Sequence, residues 1–356
     1  MEESFEGKVA ALYGTDLCLP VIALSLSEAG FDVRVLPDVC EGTEVPVELF
    51  EGFGASVCDT LADALDGADV VITMLSCTSD IEEAYLGGGG ILDLLREGTY
   101  ALDLSTSTPA LARDIFGAGA LKGVHVLDAP IDPSRSDPRR GCMLLAGGAR
   151  ADFDALLPLL SLFAQASYFG PAGAGQAAKL ARTSVLAGQA VSLAEAASLA
   201  ASGGADLLAC AEVLLEDALP ADDVLARLAD PGAAEPGAPG FYPAIEFLSD
   251  LSVALEAADE AELTLPGVET AHQLFGLLCA VGGDALPIEA VAVLYGDDEA
   301  ARAAGIDWSL LDEDDCDDEE CGCHHHHHGP ADDDGFDFGG DVGDQDDYLG
   351  GFFSKN

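Results

Sequence analysis

The run Asp69-Val70-Val71-Ile72-Thr73-Met74-Leu75 is apolar almost without interruption, as expected of a strand buried on both faces. Such a strand belongs to a parallel sheet, because parallel neighbours need crossover connections that lay helices over the sheet. The chain around it keeps that rhythm. Lys8-Val9-Ala10-Ala11-Leu12-Tyr13 reads as a strand, followed by an apolar-periodic helix that starts near Leu17, runs through Glu28 and ends at Gly30. Val33-Arg34-Val35-Leu36 is a second strand, and further strands fit Tyr100–Leu104, Val124–Leu127, Met143–Ala146 and Ser167–Phe169. Helical pieces at 79–86, 109–118 and 151–163 separate them. The alternation over residues 7–170 predicts an α/β domain on a doubly wound, mainly parallel sheet.

From Ala172 the texture changes. Residues 177–201 are rich in Ala and Leu, with no Pro and one internal Gly, which predicts a helix of about 37 Å. Helical patterns recur at 205–217, 244–258, 265–281 and 287–302, with a Pro/Gly-rich loop from Asp230 to Gly240. Residues 171–311 therefore form a second, all-α domain. Residues 312–356 are acidic and Gly-rich with few apolar residues, and such a segment is expected to stay disordered.

Charge restricts the partners. The 356 residues hold 65 acids and 14 basic side chains, a net charge of −51. The tail accounts for 16 acids and Lys355, so the rest carries −36 and the acidity is global. The field has the wrong sign for nucleic-acid phosphates or an anionic membrane face, so neither is expected as a partner. At molar salt the Debye length shrinks to about 3 Å and the self-repulsion is screened; a salt-adapted cytoplasm fits, and so does a merely acidic protein. No run approaches about 18 uninterrupted apolar residues, and the acidic start Met1-Glu2-Glu3-Ser4 has no signal-peptide character, so the expected location is cytoplasmic. Seven of the ten cysteines are scattered (Cys18, Cys40, Cys58, Cys77, Cys142, Cys210, Cys279), which predicts reduced, mostly buried thiols.

Four segments, in order and at matching separations, resemble the β-hydroxyacid dehydrogenases, the family of 3-hydroxyisobutyrate dehydrogenase and tartronate semialdehyde reductase, related to 6-phosphogluconate dehydrogenase. They are Ala68 to Leu75, similar to the family's fourth strand, and Asp103-Leu104-Ser105-Thr106-Ser107-Thr108-Pro109, which fits its DxSTxxP element. Leu127-Asp128-Ala129-Pro130 begins its substrate loop, and Gly173-Ala174-Gly175-Gln176-Ala177-Ala178-Lys179-Leu180 contains its lysine. The likeness spans residues 7–305. It implies a Rossmann-like domain, a long interdomain helix, a helical domain through which members assemble as homodimers or tetramers, and reversible hydride transfer between NAD(P) and a small β-hydroxyacid. By position it implies catalysis by Lys179, whose ammonium polarises the substrate oxygen and exchanges its proton. Substrate contacts fall on Ser105, Asp132, Pro133, Arg182 and Thr183. Cofactor contacts fall on Gly14, Thr15, Asp16, Leu17 and Cys18, on Asp38, on Leu75 and Ser76, and on Thr106.

Several of these positions depart from the family. With Pro20 as anchor, the three glycines of a G-x-G-x-x-G nucleotide loop are Tyr13, Thr15 and Cys18, and Gly14 falls between them. Those glycines normally give the turn, the backbone approach to pyrophosphate and the helix–strand packing. Asp16 adds charge repulsion of about 1 kcal/mol at ~4 Å in water and about 4 at an effective dielectric near 20, unless it caps the helix and points away. Asp38, at the end of the second strand, suits a ribose 2′-hydroxyl and favours NAD over NADP. Where the family usually runs Val-Ser-Gly-Gly to hold the substrate carboxylate, this chain has Ile131-Asp132-Pro133-Ser134, losing a donor at proline and gaining a negative charge. Thr183 replaces an asparagine of the family's catalytic site, with Arg182 beside it, and Ser249 replaces a cofactor-contacting lysine.

Four of the ten arginines, Arg135, Arg139, Arg140 and Arg150, lie within sixteen residues. They read either as a cationic pocket for a small anionic molecule or as surface ion pairs with acids such as Asp137 and Asp152. In the tail, Cys316, Cys321, Cys323 and His324 to His328 are metal-ligand types. However, Cys321-Gly322-Cys323 lacks CxxC spacing and tandem His equally reads as low-complexity expansion, so no metal site is assigned. His125 and His272 are expected as core or seam residues. Two functions remain open: an oxidoreductase of this family with cofactor binding and catalysis weakened, changed or lost, and a non-catalytic scaffold using the cleft or the tail.

Overall fold

The computed structural model describes residues 5–14, 18–37, 47–137, 141–205, 241–295 and 298–311. The strands are β1 (Val9–Gly14), β2 (Asp32–Pro37), β3 (Ser56–Val57), β4 (Val70–Met74), β5 (Tyr100–Asp103), β6 (His125–Asp128), β7 (Ile131–Asp137), β8 (Gly141–Gly148) and β9 (Ala164–Gly170). Between them run α1 (Leu19–Glu28), α2 (Val47–Gly52), α3 (Leu61–Leu65), α4 (Thr78–Leu86), α5 (Ile91–Leu94), α6 (Pro109–Leu121) and α7 (Arg150–Leu160). All belong to one sheet, ordered β3-β2-β1-β4-β5-β6-β8-β7, with β9 on β8. The first six are parallel, and β8 runs antiparallel to β6 and β7.

Every residue of β4 is buried, as its unbroken apolar run requires. One face of the sheet packs Leu12, Ile72 and Leu102 under α1 and α7; the other packs Ala11, Val71 and Ala101 under α4 and α6. Strand order reverses between β1 and β4, and the carboxyl ends of these strands open a crevice there, the usual ligand position in such sheets. Gly14 closes β1 at φ 144°, and a Cβ on it would lie 1.8 Å from the Met74 carbonyl oxygen, so only glycine lets these two strand ends approach.

Two expectations need correction here. The segment after Pro130 is not a loop: Ile131–Asp137 is strand β7, paired with β8 through Ile131–Leu144 and Asp132–Met143. Helix α1 begins at Leu19 rather than near Leu17, with Pro20 in its first turn, where a missing N–H costs nothing.

Beyond the sheet, α8 (Ala174–Ser202) runs 29 residues, followed by α9 (Ala244–Glu260), α10 (Pro266–Leu278) and the short α11 (Asp298–Ala303). The expected 265–281 helix stops at Leu278 and widens into a π turn, where Gly282 at φ 91° leaves helical space. The 287–302 pattern is a 3-10 helix at Ile288–Tyr295 before α11, and the expected 205–217 helix lies outside the described residues. Phe247, Leu251, Ala254, Phe275, Leu278 and Val291 pack against Leu180, Ala187 and Ala194 of α8. By length and composition α8 is apolar enough to cross a membrane, with a mean hydropathy of 1.3 over its most apolar window. The five described cysteines are free thiols, four half-buried and Cys77 exposed, so the expectation of mostly buried thiols does not hold for them.

Candidate functional site

The start of α8 is fixed by a carboxylate. Asp128, the last residue of β6, accepts hydrogen bonds from the Gly173 amide (2.9 Å) and the Gln176 amide (3.0 Å), using the donors and positive dipole of a helix N-terminus. Burial still raises its pKa. A Cβ on Gly175 would lie 2.2 Å from the Leu145 carbonyl oxygen, so the helix sits against the sheet's backbone. Gln176 then ties in the loop after β5, accepting from the Ser107 amide (3.0 Å) and donating to the Ser105 carbonyl (2.9 Å). In turn the Ser105 hydroxyl accepts from the Leu75 amide (2.9 Å), and Asp103 accepts from the Thr73 hydroxyl (3.0 Å) and the Ser105 amide (3.1 Å). Burial pushes the Asp103 carboxyl up to about 6, against these bonds.

Lys179 follows Gln176 by one helical turn and is only 3% exposed. Its Nζ lies 2.7 Å from Asp250 Oδ2 and donates to the Tyr242 hydroxyl at 2.9 Å, while that hydroxyl donates to Asp250. Tyr242 precedes α9, and Asp250 occupies its buried stripe with Phe247, Leu251 and Ala254. Burial raises the Tyr242 phenol well above its ordinary range, and the negative charges of Asp250, Glu246 and Asp132 add to the rise. It therefore stays protonated and can accept from Lys179 while donating to Asp250. One turn beyond Lys179, Arg182 Nε donates to the buried carboxylate of Asp132 on β7, and Thr183 is buried beside it. Hydrogen bonds from Thr78 to Glu256 and from Thr108 to Glu260, both 3.2 Å, join the sheet's loops to α9.

The structure thus brings Lys179, Arg182 and Asp132 to one place, with Thr183 and Pro133 adjacent along their elements, and holds Ser105 and Leu75 at the end of the crevice through the loop bonds. Gly14 ends β1, Cys18 is half-buried ahead of α1, Ser76 is exposed and Thr106 half-buried. Thr15, Asp16, Leu17 and Asp38 lie outside the described residues, as does the 312–356 tail. Ser249 is exposed on α9, next to Asp250. Tyr242 and Asp250 were not singled out from sequence. The available signal was an acid at Asp250 on the apolar stripe of a helix, since a buried carboxylate needs a buried cation, and the chain has only four lysines.

Of the arginine cluster, Arg150 pairs with Asp154 (2.9 Å) and covers Phe153 and Tyr168, while Asp152 pairs with His125 (2.9 Å). Arg150 is a surface ion-pair residue; the side chains of Arg135, Arg139 and Arg140 lie outside the described residues. His125 also stacks on Tyr100, and His272 lies 2.9 Å from the Ser252 hydroxyl; both are half-buried, so neither is a core residue. Among the described residues no group of three or more His, Cys, Asp or Glu could hold a metal. A cavity of about 160 Å³ lined by Lys8, Phe31, Val70 and Tyr100 lies at the opposite, amino ends of the strands.

The described residues at the crevice between β1 and β4 are compatible with a dinucleotide. The first turn of α1 contains no acid, so the positive end of its dipole suits a phosphate. Ser76 and Thr106 offer hydroxyls at the ends of the neighbouring strands, and Gly14 keeps β1 close to β4.

The model of the NAD-binding domain of 6-phosphogluconate dehydrogenase matches residues 20–171. The model described as NAD-binding of NADP-dependent 3-hydroxyisobutyrate dehydrogenase matches residues 173–295. The first match opens at Pro20. A probable mitochondrial 3-hydroxyisobutyrate dehydrogenase-like protein of Arabidopsis thaliana is 30% identical over 275 residues, covering 75% of this chain and 78% of the relative. The NAD-dependent L-serine dehydrogenase of Pseudomonas aeruginosa is 30% identical over 268 residues, covering 73% and 89%. Among solved structures, the 3-hydroxyisobutyrate dehydrogenase of Mycobacterium tuberculosis with L-serine superposes at a TM-score of 0.69 with 23% identity, over 82% of this chain and 99% of that one. The fold is that of these enzymes, a Rossmann-like sheet followed by a helical region. From its two family models and its relatives, the chain belongs to the β-hydroxyacid dehydrogenase family of NAD(P)-dependent oxidoreductases.

Proposed function

We propose that the chain transfers hydride between a nicotinamide dinucleotide and the hydroxyl-bearing carbon of a small hydroxylated compound, with a grip on the cofactor weaker than its family's. The observation that carries this reading is the burial of Lys179 against Asp250 and Tyr242. A lysine only 3% exposed, held at 2.7 and 2.9 Å, is placed as machinery and not as a surface charge. Asp250 balances its charge, Tyr242 fixes its direction, and together they exclude water. Lys179 would then hold the substrate oxygen, giving it a proton in reduction and taking one in oxidation. The nicotinamide, when bound, supplies or accepts the hydride. Gly14, Cys18 and the start of α1 would hold its diphosphate, with Leu75, Ser76 and Thr106 beside the remainder. Asp38 favours NAD over NADP, and the helical region is the proposed surface of a homodimer or tetramer.

A scaffold reading rests on a specific observation: Tyr13, Thr15 and Cys18 stand where three glycines are expected. Fluorescence titration with NADH and NADPH in molar KCl separates the two. Saturable binding, tighter for NADH, supports the oxidoreductase; no binding of either at millimolar concentration favours the scaffold.

A further inference from the structure

Two carboxylates are buried side by side at the crevice end of the sheet. Asp103 closes β5 and Asp128 closes β6, in register on neighbouring strands, and they are 3% and 4% exposed. Among the described residues neither is in an ion pair. They differ in what holds a charge on them. Asp128 takes the amides and the positive end of α8. Asp103 takes the Thr73 hydroxyl and the Ser105 amide, both on Oδ1, so Oδ2 is the oxygen that can carry a proton. The titratable groups facing it are Asp128 of β6 and Tyr85 of α4, whose phenol donates to Thr73 (2.9 Å). Of the cations on α6 and α8, Arg113 is exposed beside Gly173 and Lys179 is matched by Asp250. On α9, Glu256 and Glu260 are bonded to Thr78 and Thr108 at the rim. Burial, with the Asp128 charge added, pushes the Asp103 carboxyl up to about 6. Both segments that would meet the cofactor hang on this carboxyl. Ser105, next to Thr106, is held by its amide, and Leu75, next to Ser76, is held through the Ser105 hydroxyl. A dinucleotide seated there brings a negative diphosphate and takes water from the mouth of the crevice, and both effects favour an uncharged carboxyl.

We infer that Asp103 is a positioning residue that couples the cofactor to a proton: the dinucleotide binds best when Asp103 is protonated, and a proton passes from solvent to its Oδ2 as the cofactor seats against Leu75 and Ser76. Ionised, Asp103 repels the diphosphate through a dry wall of protein; neutral, it holds the two loop segments without that repulsion. The inference rests on the dinucleotide-binding reading above and adds control of that site by pH.

NADH titrations of the full chain in molar KCl test it, followed by nicotinamide fluorescence from about pH 5.5 to about pH 8.5. Calorimetry near pH 6.5, in two buffers of different ionisation enthalpy, counts the protons. The expected Kd is about tenfold lower at the acid end, the change that one unit of pKa produces, with roughly half a proton taken up per NADH near pH 6.5. Asp103→Asn, neutral at every pH, is expected to bind at the alkaline end as tightly as the wild type does at the acid end. Its Kd should change less than about twofold across the range, with no proton uptake. A wild-type affinity indifferent to pH, a pH dependence that Asp103→Asn retains, or weak binding by Asp103→Asn at every pH overturns the inference and leaves the dinucleotide-binding reading standing. No NADH binding by the wild type at any pH overturns the two together. Should Asp103→Asn fail to fold, Thr73→Val removes the hydroxyl donor from Oδ1 and is expected to move the midpoint of the wild-type pH curve upward; an unmoved midpoint overturns the inference.

Discussion

The two ends of the crevice are built on different principles. Where β7, α8 and α9 meet, Lys179, Tyr242 and Asp250 are buried and bound to one another, and the half-buried Arg182 holds the buried Asp132. Where β1 gives way to α1, the described contribution is backbone and dipole: a glycine that permits close strands and a helix start with no acid in its first turn. Each member of a buried ionic network constrains the others, because removing one strands its partner in low dielectric. A phosphate site made of backbone donors has no such internal bookkeeping, so its residues can change without unfolding the protein. On the expectation that Tyr13, Thr15 and Cys18 stand at the family's glycine positions, this contrast accounts for a loop that changes while Lys179 stays in place.

The largest test of that contrast is Lys179→Arg. It preserves the charge that Asp250 needs, but a guanidinium does not release its proton, so turnover should fall by about 10²- to 10⁴-fold while NADH affinity stays within a factor of about two, as read by the same fluorescence titration. Asp250→Ala leaves the Lys179 ammonium buried without its partner and should cost about 3–5 kcal/mol of stability, measured by denaturant unfolding in molar KCl.

A smaller effect should come from Asp103. Its carboxyl titrates near 6 in the folded chain against 3.8 as the ordinary value, so between these values the native state holds a proton that the unfolded state has lost. Stability from this group is full below about pH 4 and is lost as pH rises through 6. Lowering the pH from 7 to 5 should therefore stabilise the wild type relative to Asp103→Asn by about 1 kcal/mol, visible as a divergence of the two Tm curves. The smallest effect is expected at Arg150→Ala, which removes an exposed pair with Asp154 and should change stability by no more than about 0.5 kcal/mol with ligand binding untouched.

Much of the sheet was legible because its strands are short apolar runs: Val70–Met74 and Tyr100–Asp103 fall inside the segments expected, and α8 contains the whole predicted 177–201 helix. Strand β7 was not legible. Asp132, Pro133 and Ser134 are poor strand formers, and the segment is extended because β8 pairs with it. Lys179 was reachable through the motif around it. Its partners were not, since Tyr242 and Asp250 lie more than sixty residues away on another helix entry, and only tertiary packing brings their oxygens to Nζ. The arginine cluster shows the converse, since proximity in sequence placed Arg150 on the surface with Asp154.

The most direct measurement follows the hydride itself. NADH deuterated at the transferring position is incubated with the full chain and the aldehyde corresponding to 3-hydroxyisobutyrate, and the alcohol formed is analysed by mass spectrometry. Deuterium at the carbinol carbon with the wild type, reduced to a trace with Lys179→Arg, is the predicted result. Absence of transferred deuterium, or equal transfer by Lys179→Arg, would contradict the account.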